Sequence, residues 1–151
     1  MGFRVFYKLI IFYVILIQYS DEVKFMRTIQ GTGLPYYQML LSLGFCKEHI
    51  LFREQKSLHA VKLNRIIDIY YKSSNEKIKV SRVEITLIMN NTNCLAFSDT
   101  GVDHHEFTAS ILFSTNMGLM FYALVLYTCN EYVTPSAYSE EYPQLPFYVR
   151  V

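Results

Sequence analysis

Tryptophan is absent from the 151 residues, glycine (6) and proline (4) are scarce, and cysteine occurs three times. So little glycine and proline excludes collagen-like architecture and flexible low-complexity repeats. Cys46, Cys94 and Cys129 show no CxxC spacing and, being odd in number, cannot all pair within one chain. They read either as buried thiols or as one bridge plus one spare. An excess of either charge is also missing, since 14 basic residues face 13 acidic ones. Without a basic field, direct nucleic-acid binding is not expected. Apolar residues are what the chain has in quantity: 52% hydrophobic against 18% charged, with 13 Tyr and 11 Phe. A chain of this length and composition buries a core and is not disordered. No repeat or linker interrupts residues 1–151, which are expected to form a single domain.

The stretch from Leu9 to Ser20 carries no charge, Arg4 and Lys8 precede it, and Asp21 and Glu22 follow. A basic, then apolar, then polar layout is the outline of a secretory signal, and the run is too short to cross a bilayer as a helix, so no membrane span is expected. Gln18 and Tyr19 stand where export cleavage wants small residues, and only Ser20 near the boundary is small. The same β-branched and aromatic residues suit a strand buried on both faces. Residues 1–20 are therefore either a buried strand or a signal peptide. The sequon Asn90-Asn91-Thr92 supports export if it carries a glycan, whereas an odd cysteine count pulls the other way.

Further along, Val23 to Ile29 reads as a short strand closed by Gly31-Thr32-Gly33. Pro35 in a first turn, Tyr37, Leu40 and Leu41 on one face, and Gly44 as a left-handed stop predict an amphipathic helix over 35–43. Strand patterns follow: Ile50 to Arg53 is short, and Val61, Leu63, Ile67 and Ile69 alternate with Lys62, Asn64 and Asp68. Ile78 and Val80, then Val83, Ile85, Leu87 and Met89, alternate with a parity slip at Ser81-Arg82 that predicts a bulge. With Cys94 to Phe97 as a further strand, the central third reads as an antiparallel meander. Asp103 and Glu106 form a capping-box pattern before Phe107 and Ile111, predicting a helix over 104–113. Met117 to Cys129, behind Asn116, reads as a buried helix or a pair of core strands. Pro135, Pro143 and Pro146 favour an extended, tyrosine-rich tail that closes as an edge strand over Phe147 to Val151. The fold class expected is α+β: an antiparallel sheet or barrel-like meander with two or three helices.

Chemistry-bearing patterns are few. Adjacent His104 and His105, between Asp103 and Glu106, cannot converge on a metal from a helix, and His49 and His59 are isolated. Gly31-Thr32-Gly33 lacks the third glycine and the lysine of a phosphate loop. Cys46, near Lys47 and His49, is the sole candidate thiol nucleophile, and its place at the end of an element fits a structural role better. The tail tyrosines offer either a binding rim or a packed arm. No catalytic, cofactor-binding or metal residue is assigned, and an enzyme is not expected.

The segments LPYYQMLLSLGF (Leu34 to Phe45), KEHILFRE (Lys47 to Glu54), VKLNRIIDI (Val61 to Ile69) and SRVEITLI (Ser81 to Ile88) come in the order of the carboxy-terminal half of the Mediator head-module subunit 18 family, which this stretch resembles. Gly44-Phe45, Glu48-His49, Phe52-Arg53, Arg65-Ile66, Val83-Glu84 and Phe107 occupy the matching places. The resemblance implies a barrel-like antiparallel fold with helices, in the nucleus, acting through contacts with other protein subunits of the coactivator that bridges activators and RNA polymerase II. LNRIID (Leu63 to Asp68), VSRVEITLIM (Val80 to Met89), GLMFYALV (Gly118 to Val125) and the terminal FYVRV are also similar to the Mago nashi family. Both resemblances imply a nuclear scaffold without catalysis. The alternative expectation is a small secreted α+β binding protein whose leader is cleaved.

Overall fold

Among residues 23–60, 62–129 and 148–150, which the computed structural model describes, the regular structure consists of ten strands and no helix. They are β1 (Val23–Lys24), β2 (Met26–Gly33), β3 (Tyr36–Gly44), β4 (His49–Leu58), β5 (Arg65–Lys72), β6 (Arg82–Met89), β7 (Cys94–Ser98), β8 (Glu106–Phe113), β9 (Met120–Thr128) and β10 (Tyr148–Arg150). The first sheet has the order β1-β7-β8-β5-β10 and the second β2-β3-β6-β9-β4. Every neighbouring pair is antiparallel.

Period-two patterning sets which side of each strand is buried. In β6, Val83, Ile85, Leu87 and Met89 are fully buried while Arg82, Glu84, Thr86 and Ile88 face outward. In β8, Phe107, Ala109, Ile111 and Phe113 are buried in the same way. The two inner faces meet in one core. Phe52 of β4 lies with its ring centroid 6.3 Å from that of Tyr71 in β5. The thiol of Cys94 in β7 lies 3.4 Å from the thioether of Met39 in β3. Strands of one sheet thus stack on strands of the other as a β-sandwich.

The expected α+β class is overturned, because both predicted helices are strands and 117–129, read as a buried helix or a pair of core strands, holds one strand. Residues 35–43 form β3, where Met39 and Leu41 point inward and Leu40 lies on the half-covered outer face. Residues 104–113 lead into and form β8. Asp103 has a left-handed φ of 71°, which a helix N-cap does not adopt. Within 117–129 a single strand, β9, lies between β6 and β4 in the second sheet, apolar on both sides as an interior strand can be. The meander is corrected as well, since β5 and β6 belong to different sheets. The parity slip marks a crossing and not a bulge: Val80 N donates to the His104 carbonyl beside the first sheet, and Ser81 N donates to the Tyr127 carbonyl in the second.

A similar switch occurs at Phe25. The chain leaves β1 in the first sheet and enters β2 in the second, with the Phe25 ring edge-on to Phe107 at 6.5 Å. β4, an edge strand of the second sheet, directs Glu54 and Lys56 inward as an ion pair of 2.5 Å. Inward charges of this kind discourage another strand from adding to an edge. Beside them burial pushes the Tyr122 phenol well above its ordinary range, and the charge of Glu54 adds to the effect. The leader at 1–20 and the tyrosine-rich stretch up to 147 lie outside the described residues. Tyr148–Arg150, within the expected terminal strand, pairs with β5 at the edge of the first sheet.

Candidate functional site

The connection from β3 to β4 crosses the end of the second sheet in four residues, Phe45 to Glu48, passing over the ends of β6 and β9. Such a crossing needs a sharp start, which Gly44 provides with a φ of +82°. Three attachments then hold the loop down. Cys46 is disulfide-bonded to Cys129, just past β9, across a sequence separation of 83. The Ser81 hydroxyl lies 2.9 Å from the Cys46 carbonyl, to which it donates, and 3.1 Å from the Tyr127 carbonyl. The Lys47 ammonium sits 2.8 Å from a Glu84 carboxylate oxygen and 4.9 Å from the centroid of the Tyr127 ring.

Glu84 is the hub of this end. Its two oxygens accept from Lys47, from Arg82 Nε at 2.9 Å and from the Tyr127 hydroxyl at 3.0 Å. Burial acts to raise its pKa, and the three hydrogen bonds outweigh that, so the carboxyl titrates below its ordinary value. The hydrogen bond to Glu84 is the main cause holding the Lys47 ammonium above its ordinary value. Arg82 also donates to the Gly44 carbonyl at 2.9 Å, which ties the start of the loop to the same network.

Within this pinned loop Phe45 is 90% exposed, and Ile50 at the start of β4 is 42% exposed. An aromatic ring on a loop already immobilised by its own chain loses little further freedom on contact, which is the situation of a binding anchor. This end holds no free thiol. Cys46, the candidate nucleophile, is in a disulfide, and the remaining thiol, Cys94, is buried, with burial raising its pKa. The donor atoms of Cys46, Glu48 and Cys129 lie within 4.8 Å of one another, but the two sulfurs are bonded to each other and only Glu48 keeps a free ligand atom. The His104 and His105 carbonyls accept from Val80 and Ser73. His49 opens β4 at the border of the candidate site, and His59 lies just past that strand's other end.

Sequence reasoning singled out Phe45 and Glu48 as pieces of a motif, and Cys46, with Lys47 nearby, as a candidate nucleophile. It missed their convergence with Glu84, Tyr127 and Cys129, for which spacing carries no signal. No protein-family model, curated protein or solved structure matches the chain, and neither the Mediator nor the Mago nashi resemblance gains support. Among the described residues no helix is long and apolar enough to cross a membrane.

Proposed function

We propose that this protein is a non-enzymatic recognition domain that works by protein–protein contact in an oxidising compartment, with the disulfide-pinned β3–β4 loop as its contact end and Phe45 as the anchor. The observation that carries this reading is the Cys46–Cys129 bridge. Disulfides persist in secreted and surface proteins and are rare where glutathione keeps thiols reduced. The basic-apolar-acidic layout of residues 1–22 agrees with export. A nuclear subunit acting through the same kind of contact is the competing proposal, and it requires Cys46 and Cys129 to be reduced in their native compartment.

Alkylation of thiols at the moment of cell lysis, followed by mass mapping, separates the two. Export predicts unlabelled Cys46 and Cys129 in chain recovered from the medium. Labelled cysteines in nuclear chain overturn it. A photo-cross-linking residue in place of Phe45 is expected to give discrete protein adducts that the same residue in place of Leu95, 66% exposed on the opposite sheet, does not give. Equal labelling from both positions refutes the assignment of the contact end.

A further inference from the structure

At the far end of β6 from the disulfide, the chain turns through Asn90-Asn91-Thr92. Asn90 is exposed, and its side-chain oxygen accepts from the Gly118 backbone N–H at 3.0 Å. That bond fixes which way the amide faces, leaving Nδ2 with no acceptor among the described residues. A Cβ on residue 118 would stand 3.0 Å from Nδ2 and 3.1 Å from Cγ, so glycine there leaves the room that the amide occupies. The neighbouring Asn91 differs on every count. Its Nδ2 donates to Ser114 Oγ at 3.2 Å, its Oδ1 accepts from Asn93 N at 2.9 Å, and no Ser or Thr stands two residues on. The Arg27 guanidinium donates to the Thr92 carbonyl and holds the turn from the other side.

We infer that Asn90 is an N-glycosylation site, occupied when the chain passes through the secretory pathway; the inference rests on the export reading above. In the transfer, Nδ2 forms a bond to the anomeric carbon of an N-acetylglucosamine. The bond broken joins that carbon to the pyrophosphate of a lipid-linked oligosaccharide, and the amide proton leaves as the pyrophosphate departs. The substitution replaces one hydrogen on an amide nitrogen that has a second, so no hydrogen bond of the folded protein is lost, and the Oδ1 contact to Gly118 persists. Asn90 lies eight residues along the strand direction from Arg82, roughly 26 Å from the disulfide end. The glycan therefore covers the end holding Ile88 and its cross-strand partner Phe121 and leaves Phe45 bare. One end is shielded and the other is free for contact.

The test uses the full chain expressed in cultured animal cells. Peptide N-glycosidase is expected to lower the mass of secreted chain and to convert Asn90 to aspartate. Thr92→Ala, which keeps the Asn90–Gly118 contact, should abolish the whole shift, and Thr92→Ser should retain it. Asn90→Gln should abolish it too, and if that variant misfolds the Thr92 pair still decides. Secreted, disulfide-bonded chain whose mass the enzyme leaves unchanged overturns the site while export stands. Chain retained in the cells with both Cys46 and Cys129 open to alkylation overturns export and the site together.

Discussion

The carbonyl oxygen of Ser81 fills the space in which a side chain on Gly44 would begin. Gly44 also holds a φ of +82°, so any other residue there is strained by its backbone and obstructed by a neighbouring strand at once. Gly44→Ala is expected to cost roughly 2–4 kcal/mol, at the upper end of single substitutions. Urea unfolding followed by circular dichroism checks it, and a midpoint within error of the parent would show that the β3–β4 crossing tolerates a side chain.

Glu84 predicts an acid-side dependence. Its folded pKa lies below its unfolded value, so its contribution is fully present above the ordinary carboxylate range and is lost as pH falls through the folded value. Lys47, raised in the fold, contributes below its ordinary value and loses that contribution as pH rises through the folded one. Glu84→Gln should lower stability at neutral pH by about 1–2 kcal/mol, in keeping with hydrogen bonds to a charged group at a partly exposed site. The gap from the parent should narrow as pH falls below the ordinary carboxylate range and through the folded value. Parallel pH–stability curves for the two proteins would refute the network.

Joining residues 83 apart, the Cys46–Cys129 bridge removes a large share of the unfolded chain's freedom. The loop-closure relation gives about 4–5 kcal/mol for a loop this long, and native bridges deliver roughly 2–5. The double variant Cys46→Ser with Cys129→Ser should lose an amount in that range. Cys94→Ser should leave non-reducing mobility unchanged. Guanidinium unfolding measures the loss of stability, and non-reducing electrophoresis of the Cys94 variant beside the parent measures the mobility.

Leu87 is wholly buried on the inner face of β6. Leu87→Asp places an uncompensated carboxylate in the core, at a cost of several kcal/mol that is large against the usual margin of 5–15. The variant should be unfolded or molten at 25 °C, with dispersed amide signals lost from its proton–nitrogen spectrum. A native-like spectrum would place this side chain outside the core.

The alternation in β6, and in β5 at Ile67 and Ile69, was legible because those stretches carry polar residues on their outer sides, whereas Leu63, read on the same apolar face, precedes β5 and is exposed. Elsewhere the pattern was degenerate. Phe107 and Ile111 are four apart, a spacing that helices and strands share, and the residue that tells them apart is Ala109, buried between them and too small to stand out. β3 and β9 lie inside their sheet with apolar side chains on both faces, so neither period dominates. Gly44 does adopt the left-handed conformation read from the sequence, but it ends a strand and not a helix. For the candidate site, the single bridge with one spare thiol was among the readings left open. The partners of Cys46 and Lys47 lie 83 and 37 positions away in the chain, and local pattern holds no record of contacts at such range.

At Val80 and Ser81, successive backbone N–H groups bond to opposite layers of the sandwich, and at Phe25 the chain again passes from one layer to the other. Layers stitched by shared backbone cannot slide past each other or peel apart without rupturing those stitches. Force applied at Phe45 should therefore travel into both sheets together, so that a partner pulling on that end meets the resistance of the whole body and not of one layer.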